Sequence, residues 1–158
     1  MAPRPVIIDC DPGQDDAIAL LIALASREAL QVLGVTCVGG NAHPDQCAPG
    51  LRAGGAGGSA PVFAGCAGPL LRVLTTAQAV HGETGLDGSG LPEAPAMPLQ
   101  ERHAVDFIVN TCLSAADLGI TLCVLGPMTN IAVALTKAPD IAAKIRGIVF
   151  MGGVVHGP

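Results

Sequence analysis

Apolar residues along this chain alternate between short runs rich in β-branched side chains and longer stretches at helical spacing, with glycine and proline at the joins. The runs at 6–8, 31–38, 61–65, 120–125 and 147–151 read as strands. Between them, an apolar stretch from about residue 15 to 25 reads as a helix. A second helix is expected over 101–115, where Ala104, Phe107, Ile108, Thr111 and Cys112 recur at helical spacing, and a third over 129–137. A short helical piece follows Pro139, and residues 81–90 read as a glycine-rich loop. Strands alternating with helices predict an α/β fold, a mostly parallel open sheet with flanking helices. Open sheets of this kind bind ligands beyond the carboxyl ends of their strands. Asp11 and Asp15, Asn41, Leu125 with Thr129 and Asn130, and Met151 all follow such ends, so segments distant in sequence are expected to meet in one crevice.

The first strand and helix carry the densest chemistry. Asp9, Asp11, Asp15 and Asp16 fall within eight residues, in a chain with 13 acidic residues altogether. The helix behind them is apolar on every side, which predicts that it is buried. Two carboxylates 4 Å apart repel by roughly 4 kcal/mol at an effective dielectric near 20. A helix N-terminus returns only about 0.3–1 kcal/mol per acid. No Lys or Arg lies between Arg4 and Arg27, so a bound cation is the expected compensation. The donors are all oxygen, with Cys10 the one sulfur nearby, which suits a hard ion such as Ca²⁺ or Mg²⁺ better than zinc. Helix capping is the plainer explanation, and it accounts for one or two of the four acids.

Composition narrows the class. At 158 residues, 50% hydrophobic and 13% charged, the chain suits one globular domain. A net charge of −5 argues against nucleic acid or an anionic membrane as partner. Apolar runs are all too short to cross a membrane, and the N-terminus lacks a signal-peptide core, so a cytoplasmic protein is expected. The six Cys show no CxxC spacing and read as reduced thiols. Phe63, Phe107 and Phe150 are the only aromatic residues, leaving few rings for stacking on a base.

DCDPGQDDAIA at 9–19 resembles the N-terminal motif of the nucleoside hydrolases, the inosine–uridine-preferring N-ribohydrolases. VTCVGGN at 35–41, HGETGLDG at 81–88, LGPMTNIA at 125–132 and IVFMGG at 148–153 resemble later family motifs, in the family's order. The resemblance implies a nucleoside hydrolase-like α/β domain over 1–158 that lacks the family's C-terminal part. It implies calcium-dependent hydrolysis of the N-glycosidic bond of ribonucleosides, in purine and pyrimidine salvage, with a small-molecule ribonucleoside as partner and a homo-oligomer compatible with the pattern. Asp11, Asp16 and the backbone carbonyl of Leu125 are implied as metal ligands, with Asp11 also the general base. Asp15, Asn41, His81 and Met151 are implied as substrate-binding residues. Individually, Asn41 also reads as a turn residue, His81 as a solvated loop histidine, Met151 as core packing, and Thr129 and Asn130 as caps of the following helix.

Two other functions compete. One is an incomplete or non-catalytic fragment of the family that keeps the metal and ribose half-site, a chain expected to hydrolyse nucleosides slowly by itself. The other is a haloacid-dehalogenase-type phosphotransferase, against which Pro12 and the Asp-Asp pair at the helix start both count. One segment departs from the family pattern. Where relatives carry a crossover helix, residues 42–60 hold five Gly and Pro49, which would cost a helix roughly 7–8 kcal/mol. Residues 44–60 are therefore expected to be mobile and non-helical.

Overall fold

The computed structural model describes residues 2–41, 60–77, 82 and 99–153. The chain runs through β1 (Arg4–Cys10), α1 (Gln14–Ala25), β2 (Leu30–Cys37), β3 (Val62–Ala64), α2 (Ala104–Leu113), β4 (Ile120–Val124), α3 (Thr129–Lys137), a 3-10 segment (Pro139–Lys144) and β5 (Ile145–Phe150). The five strands form one sheet in the order β3-β2-β1-β4-β5, and every neighbouring pair is parallel. All five strand positions expected from the apolar runs are present, with ends displaced by a residue or two. The segment 44–60 lies outside the described residues apart from Ala60, as does His81.

β1 is the central strand, and alternation along it assigns its side chains to two layers. Val6, Ile8 and Cys10 pack with Leu20 and Ala23 of α1 and Val35 of β2. Ile7 faces the opposite layer, where Ile108 of α2, Leu122 of β4, Ile131 of α3 and Ile141 of the 3-10 segment close the larger core. Phe63 and Phe107 stack within it, ring centroids 3.9 Å apart. Two of the three aromatic rings are thus consumed by packing.

The expectation of a wholly buried α1 is corrected. Only Asp16, Ala17, Leu20 and Ala23 are buried, while Ile18 and Ile22 are 59% and 62% exposed. Those buried positions recur at i, i+4 and i+7, the stripe a helix presents to one flat sheet face. The helix rests on a single layer, so its apolar outer side has no described residue over it. α2 is also shorter than its apolar spacing suggested, because the His103 side chain caps it: Nδ1 accepts from the Val105 amide at 3.2 Å. No helix among the described residues is long and apolar enough to cross a membrane.

Candidate functional site

Parallel strands carry the chain to the same end of the sheet, and four crossing points there build one crevice. It has a volume of about 340 Å³ and is lined by Asp11, Asp15, Asp16, Asn41, Leu125, Gly126, Pro127, Met151 and Gly152. Six of the seven residues implied as ligands or substrate contacts therefore meet, while Thr129 and Asn130, expected at the same crevice, do not line it; His81 lies outside the described residues. Asp11 follows β1, Asp15 and Asp16 open α1, Asn41 follows β2, Leu125 follows β4 and Met151 follows β5. Larger hollows, such as the one of about 590 Å³ bordered by Gln31, Arg102 and Asn110, lie away from this cluster of acids.

Asp11 is buried and fixed from two directions. The Asn41 amide donates to its Oδ2 at 2.9 Å, and Asn41 Nδ2 donates to its backbone carbonyl at 2.8 Å. Glycines at 40 and 126 make this fit sterically. A Cβ on Gly40 would overlap Asp11 Oδ2, and one on Gly126 would lie 2.6 Å from Asp11 Oδ1. Asn41 stands at a bend of the chain, and from there it holds the Asp11 carboxylate. Met151 is 59% exposed, so it is not core packing; its amide continues the strand ladder to the Val124 carbonyl at 2.9 Å.

Asp16 combines the capping role with an unfavourable setting. Its Oδ2 accepts from the Gly13 amide at 2.8 Å, which stabilises the start of α1. Burial nevertheless pushes its pKa up to about 7; the Gly13 hydrogen bond opposes that rise, and Asp11 and Asp15 add to it. Asp15 stands exposed at the crevice. Among the described residues, no Lys, Arg or His lines the crevice.

The chemistry of the donor set tests whether a cation fits. The carboxylates that line this small crevice are oxygen donors of the kind Ca²⁺ and Mg²⁺ take, six to eight at a time for Ca²⁺. Among the described residues no group of three His, Cys, Asp or Glu side chains is placed to hold a metal. Asp11 and Asp16 by themselves supply only part of the oxygen set such an ion takes.

Sequence reasoning missed one layer of the site. Asp9, counted among the acids but given no role, is buried and points away from α1. Its Oδ1 accepts from Thr36 Oγ1 at 2.5 Å and from Asn130 Nδ2 at 2.8 Å. Its Oδ2 is buried with no hydrogen-bond partner among the described residues. Burial raises the Asp9 pKa to about 6; the Asn130 and Thr36 hydrogen bonds oppose the rise, and Asp11 adds to it. Asn130 is correspondingly not a helix cap. The N-cap of α3 is Met128, which makes no side-chain capping bond, and Asn130 lies fully buried with its amide turned to the sheet. An Asn in the first turn of an otherwise apolar helix was the available signal, because a buried amide must find partners. Its partner stands 121 residues away in sequence, beyond any local pattern.

A model of the family described as inosine-uridine preferring nucleoside hydrolase matches residues 6–158. The pyrimidine-specific ribonucleoside hydrolase RihB of Escherichia coli is 44% identical over 155 residues, covering 97% of this chain and 49% of RihB. Among solved structures, a purine-preferring ribonucleoside hydrolase from Gardnerella vaginalis superposes with a TM-score of 0.85 at 31% identity, over 96% of this chain and 49% of that one. The plant nucleoside hydrolase PpNRh1 superposes with a TM-score of 0.83 at 34% identity, over 96% and 48%. The chain spans about half the length of the relatives it matches.

Proposed function

The chain belongs to the inosine-uridine preferring nucleoside hydrolase family, and from that premise we propose that its crevice is the metal and ribose half of a site for calcium-dependent hydrolysis of ribonucleosides to ribose and free base. The observation that carries this reading is the convergence of Asp11, Asp15, Asp16, Asn41, Leu125 and Met151 on one crevice. Relatives named as pyrimidine-specific and purine-preferring share this half of the chain, which supports a role for it toward the sugar common to both substrate classes.

In this reading Asp11, Asp16 and the Leu125 carbonyl hold Ca²⁺. Bound there, the ion would acidify a water and hold the ribose diol in place. Asp11 takes the proton of the attacking water, its carboxylate kept in position by the Asn41 amide. Asp15, exposed at the rim, accepts a hydrogen bond from the ribose 2′-hydroxyl. Met151 forms a wall against the sugar, and His81 serves the base side. As the glycosidic bond lengthens, the sugar gains oxocarbenium character, and the buried carboxylates stabilise that charge.

A second reading is favoured by the two-carboxylate donor set: the chain binds metal and ribose without turning substrate over. One experiment separates the two. Calcium titration by calorimetry, on the wild type and on Asp11→Asn and Asp16→Asn, is run beside nitrophenyl-riboside and inosine hydrolysis. Calcium binding lost in both variants, together with riboside cleavage, is the expected result. Binding without cleavage selects the second reading. Equal calcium binding in all three proteins would remove the metal assignment.

A further inference from the structure

We propose that Asp9 and Asn130 are positioning residues, a buried pair beneath the crevice that locks three strand ends together so that Asp11 and Asn41 meet. Neither residue lines the crevice, and both are at most 1% exposed. Asn130 uses its whole amide. Nδ2 donates to Asp9 Oδ1 at 2.8 Å and to the Cys37 carbonyl at 3.0 Å, while Oδ1 accepts from the Cys66 amide at 2.8 Å. One side chain from α3 therefore grips the ends of β1 and β2 and the chain just past β3. A Cβ on Gly65 would overlap this amide, so the neighbouring backbone has been shaped around it. Thr36 adds a second link from Asp9 to β2.

The segments so gripped are those that carry the crevice. Asp9 lies two residues before Asp11, and its carbonyl accepts from the Leu125 amide at 2.7 Å. Cys37 leads into Gly40 and Asn41, and the Gly39 amide donates to the Cys66 carbonyl at 2.8 Å. With Gly40 and Gly126 packed against the Asp11 carboxylate, a small slip of any strand end moves Asp11 relative to Asn41. Partners at this remove tune a metal site by about 10–100-fold in affinity when lost. The inference rests on the reading of Asp11 and Asp16 as calcium ligands for one of its two readouts only.

The charge of Asp9 is not what the positioning requires; the Oδ1 acceptor is. Asp9→Asn keeps that acceptor, and Asp9→Ala and Asn130→Ala remove the link. The expected result is calcium affinity about 10–100-fold lower in Asp9→Ala and Asn130→Ala, and within about threefold of wild type in Asp9→Asn. Ile108→Val, a remote core change, controls for general destabilisation and should leave affinity unaltered. The second readout needs no metal: hydrogen exchange at the Asn41 amide, which donates to Asp11 Oδ2 and touches neither Asp9 nor Asn130 directly. It should accelerate in Asn130→Ala beyond the change in global stability, and not in Ile108→Val. Failure of the wild type to bind calcium would count against the proposed function and leave the exchange test standing. Asp9→Asn as damaging as Asp9→Ala, or wild-type Asn41 exchange in Asn130→Ala, would overturn the positioning role.

Discussion

Replacing Gly126 by Ala probes the close packing around the Asp11 carboxylate. The added Cβ would sit 2.6 Å from Asp11 Oδ1, 2.9 Å from the Asp11 amide nitrogen and 3.0 Å from Cγ. Ordinary contact begins at 3.4 Å, so the carboxylate falls short of the room it needs by about 0.8 Å. The backbone nitrogen has little freedom to yield, because the neighbouring Asp9 and Cys10 carbonyls accept from Leu125 and Val38. The side chain must therefore turn away, and its bond from the Asn41 amide is strained or lost. Overpacking of this kind costs about 1–3 kcal/mol of stability, and a misplacement near 1 Å can cost about 10²-fold in rate. Thermal unfolding, calcium titration and Asn41 amide exchange on Gly126→Ala measure the consequences. Calcium affinity should fall at least tenfold, with faster Asn41 exchange. Gly147→Ala is the control: its Cβ would meet nothing within 4 Å, and stability should be unchanged or raised by about 0.4–1 kcal/mol. Wild-type affinity and exchange in Gly126→Ala would refute the steric argument.

Three further outcomes are expected. Ile22→Lys on the exposed side of α1 should change stability by less than about 0.5 kcal/mol in chemical denaturation; a loss above about 1.5 kcal/mol would mean that something covers that face. Ile108→Ala, at a fully buried position between α2 and the sheet, should cost about 2–5 kcal/mol by the same measurement. Burial pushes the Cys112 thiol up to about 11 from its ordinary 9.0. The folded state then holds that proton more tightly than the unfolded chain, so stability is full below about pH 9 and falls as pH rises toward 11. Denaturation midpoints at pH 8 and 10.5 should show the decline, and Cys112→Ala should make it shallower; an equal decline would assign it to other groups.

The amino-acid sequence by itself determined the strand and helix order, the parallel α/β class and the gathering of acids and amides at one end of the sheet. Each of these rests on local information: apolar period, glycine and proline at the joins, and the rule that parallel strands all end on one side. Asp11, Asp15, Asn41, Leu125 and Met151 were legible for that reason, and Asp16 from the crowding of acids at the start of the first helix. Burial of α1 was misread because an all-apolar helix gives no sign of how many layers will cover it. Ile18 and Ile22 differ from Leu20 only in the direction the helix turns them. The Asp9–Asn130 pair was decided only by the tertiary structure. Its two members are joined by a hydrogen bond across 121 residues, and long-range contacts between polar side chains leave no period in the sequence. Tertiary structure likewise gave Gly40 and Gly126 their meaning: the requirement for no side chain comes from Asp11 standing against them, a neighbour that exists only once β1, β2 and β4 lie side by side.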